Sequence, residues 1–362
     1  MRPFALFILL FSCGLNHTSA QDTLLLFHPT ANNMEVIEKL VLEKLFDLDG
    51  YHVLGVFHNG ETYDYDQARR WLNENPEDPF TLREIGNTLE PGNLFGTNEC
   101  SEDFKALFMG SRGALFMGGP DIPPWAYNES VHLLTSVTDP YRHYLEISYL
   151  FHLLGGLQDA GWVPYLEKDT DYLVGGICLG MQSMNVATGG TMIQDIPTEI
   201  YGLWNAEEIL ALPPDQMHRN YADKVNTGCE EPTSYHFHRV RLKEGSFLKK
   251  ELKFRSKSDP LVLSSHHQSV ESPGMGWVVA ATSMDGKIIE AMEHEQYPNV
   301  VGVQFHPEKP GLFDPSIIHP NSCNSRINFQ QVIRDTDSYK FHKAYWKFLG
   351  STLQKIKKPS RK

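Results

Sequence analysis

The sequence has 362 residues, a formal net charge of −13 and five cysteines. The acidic balance disfavours nucleic acid as a partner, because a phosphate backbone binds positively charged surfaces. Five cysteines are too few for a disulfide-stapled scaffold, so a chain of this length must fold around the core of one large domain or two smaller ones.

The first twenty residues have the pattern of a secretory signal peptide. Arg2 precedes an apolar run over residues 4–11, and small residues at positions 18–20 provide a cleavage site. The apolar run is too short to span a bilayer as a helix, and no later stretch is long and apolar enough to do so. We therefore predict cleavage after Ala20 and a periplasmic or secreted protein without a membrane span. Lipidation of Cys13 is an open alternative, because the residues before it loosely resemble a lipobox.

Residues 21–362 alternate between strand-like and helix-like patterns. Short apolar runs predict strands over 23–27, 51–57, 171–177, 234–242, 261–270, 276–283, 287–294 and 299–305, with another beginning at Gly113. Apolar residues at helical spacing predict helices over 34–45, 64–72, 141–158 and 339–353, and one after residue 179. Residues 75–100 are rich in proline, glycine and asparagine and are predicted to be irregular. Because no linker or repeat interrupts the alternation, it predicts a single α/β domain with a largely parallel sheet.

The stretch GGICLGMQSMNVATGG, residues 175–190, places a cysteine between a strand pattern and a helical pattern. Gly176 and Gly180 flank Cys178 as G-x-C-x-G, the thiol version of the nucleophile elbow. Small neighbours permit a strained turn there, and a helix N-terminus favours thiolate over thiol. We predict that Cys178 is a nucleophile. A buried, inert thiol is the alternative.

A nucleophilic thiol needs a base and a group that orients the base. In VVGVQFHPE, residues 300–308, His306 follows an apolar strand and Glu308 lies two residues later. Pro307 stiffens the link, so Glu308 can hold one ring nitrogen while the other faces Cys178. The sequence therefore predicts a catalytic triad of Cys178, His306 and Glu308.

The same chemistry needs hydrogen-bond donors for a developing oxyanion. LFMGGPD, residues 115–121, places two glycines at a strand end, where the backbone N–H of Gly119 can point into a pocket. The N–H of Leu179, directly after the nucleophile, is the natural second donor. A plain tight turn at residues 118–120 is the alternative.

Five segments in the same order resemble the class I glutamine amidotransferase superfamily. More narrowly, they resemble its γ-glutamyl-γ-aminobutyrate hydrolase branch, the peptidase C26 family. The segments are GGPDIPPWAYNE, DPYRHYLE, ICLGMQSMNVATGGTMIQDIP, SSHHQSV and VVGVQFHPE, and they span roughly residues 113–310. The resemblance implies a flavodoxin-like three-layer sandwich with a mostly parallel central sheet. It also implies the same triad, with a small γ-glutamyl compound as substrate.

The resemblance implies further roles for single residues. Gln182 matches the glutamine that grips the amino acid end of the substrate. His267 and Gln268 match a segment that contacts the same end through backbone and side chain. Arg142 and Glu146 match residues of the preceding helix that we expect to be structural.

No metal or cofactor is predicted. His236 with His238, or His266 with His267, are candidate ligand pairs, but no cysteine or carboxylate cluster completes such a site. No phosphate-binding glycine motif is present.

Three properties stay open from the sequence. The first is the leaving group, because residues 21–110 do not show the family's usual beginning and residues 159–171 form an insertion relative to the family. The second is the disulfide. If Cys178 stays free, the remaining Cys100, Cys229 and Cys323 can form at most one bridge. The third is the oligomeric state.

Three functions are compatible with these residues. The first is an exported cysteine hydrolase that cleaves γ-glutamyl amide bonds through a thioester. The second is a glutaminase that delivers ammonia to a partner synthetase, and the third is a catalytically idle binding protein on the same fold. Export disfavours the second, because such synthetases need ATP and no synthetase segment is visible in the chain. The filled triad positions disfavour the third, so we favour the hydrolase.

Overall fold

The computed structural model describes residues 22–225, 228–252, 254, 259–334 and 336–357. The predicted signal segment and its candidate lipidation site lie outside the described residues. Inside these ranges, no helix combines the length and the apolar character needed to cross a bilayer.

Fourteen strands occur in the described residues, and ten of them join in one sheet. In chain order they are β1 (Asp22–Phe27), β2 (Tyr51–His58), β3 (Phe80–Ile85), β4 (Gly113–Phe116), β5 (Leu173–Ile177), β6 (Met192–Ile193), β7 (His236–Leu242), β8 (Leu261–Ser264), β9 (Ser269–Val270), β10 (Trp277–Ser283), β11 (Ile289–His294), β12 (Val300–Val303), β13 (His319–Ser322) and β14 (Ser325–Ile327). The large sheet has the order β3-β2-β1-β4-β5-β12-β11-β10-β7-β8. The pairs β6–β9 and β13–β14 form two small separate sheets.

The large sheet is parallel from β3 to β12 and antiparallel beyond it. β3, β2, β1, β4, β5 and β12 pair in parallel, and β11, β10, β7 and β8 continue in antiparallel order. The inner parallel strands are continuous apolar runs, since both of their faces are covered; β4, β5 and β12 are buried throughout. The mostly parallel sheet confirms the predicted fold class.

Eleven helices occur in the described residues. They are α1 (Ala31–Leu42), α2 (Tyr65–Glu74), α3 (Ser101–Gly110), α4 (Pro140–Leu154), α5 (Leu179–Ala187), α6 (Ile196–Tyr201), α7 (Ala206–Leu210), α8 (Ala222–Val225), α9 (Phe247–Lys250), α10 (Phe329–Arg334) and α11 (Ser338–Ile356). Local chemistry sets the ends of the long α4. The Asp139 side chain accepts a hydrogen bond from Tyr141 N–H at its start, and Gly155, with φ of 71°, ends it.

Helices cover both faces of the sheet, as β1 illustrates. Leu24 and Leu26 belong to a core shared with α1, α2 and α11. Leu25 and Phe27 belong to a second core shared with α3, α4 and α5. Because successive strand residues point to opposite faces, this alternation defines a three-layer sandwich.

Some secondary-structure predictions are wrong. Residues 75–100 are not wholly irregular, because β3 pairs with β2 at the edge of the sheet; its partly exposed residues lack a clear apolar pattern. The helix predicted over 141–158 stops at the glycine after Leu154, and α3 has no predicted counterpart. The strand predicted over 261–270 is broken into β8 and β9, which belong to different sheets. The four residues between them form a loop.

A disulfide joins Cys229 to Cys323, with their Cα atoms 5.5 Å apart. Cys323 lies in the turn between β13 and β14. Cys100 and Cys178 are free and buried. The bridge answers which pair forms, a question the sequence left open, and it leaves the predicted nucleophile as a thiol.

The C-terminal helix α11 packs under the strand that leads to the predicted base. Its buried apolar residues recur at helical spacing: Phe341, Tyr345, Trp346, Leu349 and Leu353. The indole Nε1 of Trp346 donates a hydrogen bond to the Pro307 carbonyl at 2.9 Å. The helix therefore anchors the backbone between His306 and Glu308.

We predict that Leu349→Ala lowers the free energy of unfolding by about 2–5 kcal/mol, because it leaves a cavity between α11 and the sheet. Leu349 is fully buried. Urea unfolding followed by circular dichroism measures the change. Leu133, which is 97% exposed, gives the control, and Leu133→Ala should change stability by less than about 0.5 kcal/mol. Equal losses in the two variants would contradict the packing of α11.

Candidate active site

The chain turns from β5 into α5 at a single residue. β5 ends at Ile177 and α5 begins at Leu179, so Cys178 forms the turn. Its φ of 53° and ψ of −108° lie where residues with a side chain are rarely found. A strained residue between a strand and a helix is the backbone arrangement of the nucleophile elbow.

Close approach of the backbone explains the two flanking glycines. A Cβ at Gly180 would lie 2.2 Å from the Phe116 carbonyl oxygen. A Cβ at Gly176 would lie 2.7 Å from the backbone nitrogen of Met181. Backbone atoms inside a sheet and a helix cannot move aside cheaply. The G-x-C-x-G pattern therefore follows from the tight packing of α5 on β4 and β5.

Parallel pairing brings the predicted base to the nucleophile. β12 lies beside β5 with Val303 opposite Ile177, and Cys178 N–H donates to the Val303 carbonyl at 2.8 Å. The chain beyond β12 continues to His306 at the same edge of the sheet. A Cβ placed on Gly118 would lie 2.8 Å from His306 Cε1 and 3.6 Å from Cys178 Cβ. The two predicted catalytic side chains therefore share one site.

Glu308 orients the imidazole. His306 Nδ1 lies 2.8 Å from Glu308 Oε1, and both side chains are buried. Burial by itself lowers the pKa of His306, but the charges of Glu308 and of a Cys178 thiolate outweigh it and raise that pKa well above its ordinary value. Burial raises the pKa of Glu308, but His306 and Lys309 together lower it to about 2. The site therefore favours an imidazolium between two anions.

Two residues beside the triad were missed by the sequence analysis. Lys309 Nζ lies 3.2 Å from Glu308 Oε1, so the orienting carboxylate also carries a second cation. Gln304 is fully buried, and its Nε2 donates to Cys178 Sγ at 3.5 Å. The period of two along a strand was an available signal, since it puts Gln304 on the same side as His306.

A buried arginine holds the loop of the predicted oxyanion site. Arg142 Nη2 donates to the carbonyls of Met117 and Gly118 at 2.9 and 3.0 Å. Its Nε donates to Glu146 Oε1 at 2.9 Å, and both side chains are 1% exposed. Burial by itself lowers the pKa of Arg142, but the Glu146 carboxylate outweighs it and raises that pKa. The structural role expected for these two residues is thus to fix the backbone after β4.

This arrangement orients the Gly119 amide. A trans peptide directs its N–H opposite to its C=O, and Arg142 binds the Gly118 carbonyl, so the Gly119 N–H points away from the arginine. A Cβ on Gly119 would lie 2.1 Å from Arg142 Nη1, which explains the glycine. Within the described residues, neither the Gly119 N–H nor the Leu179 N–H donates a hydrogen bond.

The glutamines predicted to hold the substrate bond to one another. Gln182 Nε2 donates to the Gln268 carbonyl and to Gln304 Oε1, both at 3.3 Å. Gln268 Nε2 donates to the Gln194 carbonyl at 3.1 Å. This network ties α5 to the loop between β8 and β9. Contact of Gln182 or Gln268 with a substrate stays a prediction.

His267 links two loops. Its Nε2 lies 3.0 Å from Asp121 Oδ1, and its Nδ1 lies 3.1 Å from Asp195 Oδ1. Burial lowers the pKa of His267, but the two carboxylates outweigh it and raise that pKa to about 9. The imidazolium therefore holds the segment after Gly119 against the start of α6. Its contact with a substrate likewise stays a prediction.

The N-terminal segment reaches the site through α4. The Thr62 hydroxyl donates to Asp139 at 2.9 Å, and Asp139 caps the helix. The ring of His58 stacks on that of Tyr141, with centroids 5.2 Å apart. The part of the chain that departs from the family pattern thus contacts the first turn of the helix that carries Arg142.

A second buried polar cluster lies in the antiparallel half of the sheet. His218, His238, His266 and Glu290 each offer one ligand atom, and these atoms lie within 4.8 Å of one another. The prediction of no metal rested on the lack of a carboxylate, and that reason is wrong, because Glu290 on β11 supplies one. Of the four histidines named from the sequence, His236 and His267 do not belong to this cluster.

Comparison with known proteins agrees with this site. The family model of peptidase C26 matches residues 94–308. A candidate glutamine amidotransferase-like protein of Rickettsia prowazekii is 31% identical over 40% of this chain and 55% of its own length. A candidate glutamine amidotransferase of Mycobacterium tuberculosis is 33% identical over 53% of this chain and 49% of its own length. The chain thus spans about half the length of these relatives. The solved structure of a candidate GMP synthase protein from Thermoplasma acidophilum aligns over 85% of this chain and 99% of its own, at 13% identity and a TM-score of 0.34, which is too low to argue from.

We predict that iodoacetamide alkylates Cys178 much faster than Cys100. Burial, with Asp103 and Glu99 nearby, raises the pKa of Cys100 to about 12, whereas Cys178 has an imidazolium partner. Mass spectrometry of timed digests measures both rates. Glu308→Gln removes the anion that favours the imidazolium, so the alkylation rate of Cys178 should fall on the order of ten-fold at neutral pH and its rate–pH curve should move to higher pH. An unchanged curve would contradict the role of Glu308.

We predict that Gly118→Ala slows the same alkylation on the order of ten-fold without unfolding the protein, because one unit of thiolate pKa is worth a factor of ten. The new methyl group would press on His306 Cε1, and the ring cannot swing away because Glu308 holds it. Gly110→Ala is the matched control, since a Cβ there has no neighbour within 4 Å in the described residues. Equal rates in the two variants would show that His306 does not pack against Gly118.

Proposed function

Because the chain belongs to the peptidase C26 family, we propose that it is an exported cysteine hydrolase that cleaves γ-glutamyl amide bonds. One observation carries the proposal. Cys178 stands at a strained strand–helix turn beside a His306–Glu308 pair, with two backbone amides next to it that are unpaired within the described residues. Thioester chemistry needs this combination of nucleophile, base and oxyanion donors.

The first half of the reaction forms a thioester. The Cys178 thiolate attacks the γ-carbonyl carbon, and negative charge develops on the carbonyl oxygen. The N–H groups of Gly119 and Leu179 stabilise this oxyanion, the first because Arg142 orients its peptide. The C–N bond then breaks, and protonated His306 gives its proton to the leaving amine.

The second half releases glutamate. Neutral His306 takes a proton from water, and the hydroxide attacks the thioester carbon. The tetrahedral intermediate uses the same two amides. When the C–S bond breaks, the free acid leaves and the thiolate–imidazolium pair is restored. Glu308 holds the ring through both steps without exchanging a proton itself. No cofactor takes part.

The amino acid end of the substrate is proposed to bind next to Gln182. Its carboxamide lies between Gln268 and Gln304, and Gln304 also contacts the nucleophile. The leaving group is proposed to lie on the side of the N-terminal segment, near the start of α4. Since that segment departs from the family pattern, the leaving group is proposed to differ from that of typical members.

Export is part of the proposal. The signal pattern of residues 1–20 motivates it, and the Cys229–Cys323 disulfide supports it, since such bridges persist in oxidising compartments. The free nucleophile is buried and 6% exposed, which separates it from the bridge chemistry.

A glutaminase is the second candidate function. The names of the relatives from Rickettsia prowazekii and Mycobacterium tuberculosis favour it, because both refer to glutamine amidotransferases. In that case the leaving group is ammonia, which passes to a partner synthetase. The chemistry at Cys178 is the same, so only the substrate range and the need for a partner separate the two functions.

We predict that purified residues 21–362 release glutamate from at least one γ-glutamyl amide bulkier than glutamine, without ATP or a partner. A γ-glutamyl panel of aminobutyrate, peptide, pteridine and cell-wall amides, assayed for free glutamate, measures this. Cys178→Ala should abolish turnover. Cys100→Ala, which changes a free buried thiol far from the triad, should keep it.

The α-glutamyl isomers serve as control substrates and should not be cleaved. Activity that appears only after a synthetase is added would overturn the hydrolase in favour of the glutaminase. Binding of γ-glutamyl compounds without turnover under any condition would favour the idle binding protein.

A further inference from the structure

The buried histidine cluster combines four distant parts of the chain. His218 lies between α7 and α8, His238 on β7, His266 after β8 and Glu290 on β11. The four side chains are between 0 and 4% exposed. Three imidazoles around one carboxylate in a dry interior are costly to bury unless each polar atom finds a partner.

Most polar atoms of this cluster lack a hydrogen-bond partner within the described residues. They are Nδ1 and Nε2 of His218, Nε2 of His266, and both carboxylate oxygens of Glu290. His218 Nδ1 lies only 3.0 Å from Glu290 Oε1, but the two are not aligned for a hydrogen bond. Native proteins rarely leave so many buried polar atoms unpaired, and a site built to bind an ion is one physical reason for it.

The separations fit a shared metal ion. Zn²⁺ bound at about 2.0–2.1 Å in a tetrahedron keeps its ligand atoms about 3.3 Å apart. The Nε2 atoms of His238 and His266 lie 3.7 and 3.8 Å from the Glu290 oxygens, and the His218 contact is 3.0 Å. A small contraction of the cluster would bring all four ligands to bonding distance.

The outer ring nitrogens are held as metal-bound histidines require. His266 Nδ1 lies 2.9 Å from the Gln268 carbonyl, and His238 Nδ1 lies 3.2 Å from the Arg239 carbonyl. A carbonyl accepts from a protonated nitrogen, so each bond leaves Nε2 as a lone pair facing the cluster. The Ser264 hydroxyl, 2.8 Å from His238 Nε2, would rotate away on metal binding.

The charge state of the rings suits a cation. Burial lowers the pKa of His218 and His266 to about 3 and that of His238 to about 4, so the imidazoles are neutral at physiological pH. Neutral imidazole is the form that binds metal. Nitrogen donors select zinc or a similar transition metal over calcium and magnesium, which prefer oxygen.

We propose that His218, His238, His266 and Glu290 bind one divalent transition metal, of which zinc fits best, as a structural site separate from the triad. Four protein ligands leave no open position, which is typical of structural zinc. The ion joins β7, β11 and the loop after β8 to the segment before α8. It also fixes the Gln268 carbonyl, which both His266 and Gln182 contact.

Metal content tests the proposal independently of catalysis. Residues 21–362 carrying Cys178→Ser, purified without a histidine tag, are dialysed against chelator and then against Zn²⁺ or Co²⁺. Mass spectrometry of the elements should find one ion per chain, and Co²⁺ should give the intense visible absorption of a tetrahedral site. Zn²⁺ should also raise the melting temperature. The serine removes the reactive thiol as a ligand, so failure of this test says nothing about hydrolysis.

Ligand variants place the ion. His218→Gln and Glu290→Gln should weaken Co²⁺ binding by at least about 100-fold, because even outer contacts of a metal site are worth about 10–100-fold. His236→Gln is the matched control, since that ring lies on the same strand as His238 but bonds to the Pro214 carbonyl instead. Unchanged binding in both ligand variants would overturn the assignment. If these variants do not fold, the parent decides, and a parent that takes up neither ion with a tetrahedral spectrum and a rise in melting temperature overturns it as well.

Discussion

The parallel pairing of β5 with β12 is the constraint on which the site depends. The two strands are distant in sequence, yet their register places Ile177 opposite Val303, so both chains leave the sheet at the same edge. One chain turns at once into a helix at Cys178, and the other continues to His306. A slip of the register by one residue would turn each side chain to the opposite face of the sheet. The strained elbow and the buried Glu308 have a use only because this pairing is held between two cores.

Buried charge is concentrated around that edge, and each charge has a partner. Arg142 is paired with Glu146, and Glu308 is shared between His306 and Lys309. Removing one partner from such a pair is far more damaging than exchanging both, because it leaves an isolated charge in the interior. These pairs therefore act as rigid supports for backbone and ring positions. Their proposed contribution to turnover comes from geometry that exists before a substrate arrives.

The sequence was informative where chemistry is local and uninformative where it is assembled. Cys178, His306 and Glu308 were predicted because each lies in a short motif with its own turn or strand signal. Glu290 and His218 carry no local signal, since a lone glutamate in a strand and a histidine in a polar segment resemble ordinary residues. Their meeting depends on antiparallel pairing and on a loop that breaks the apolar run over 261–270, which a period-two pattern does not show. The edge strand β3 was missed for a similar reason, because only its neighbour β2 makes it a strand.

The disulfide divides the triad topologically. The bridge between Cys229 and Cys323 closes a covalent ring of chain that contains His306 and Glu308, while Cys178 lies outside it. Any single break of the backbone inside this ring leaves the two fragments chemically joined. In a compartment rich in proteases, a nick in one of its surface turns would therefore not release the base and its carboxylate from the molecule. The half of the site that depends on the longest excursion of the chain is the half that the crosslink retains.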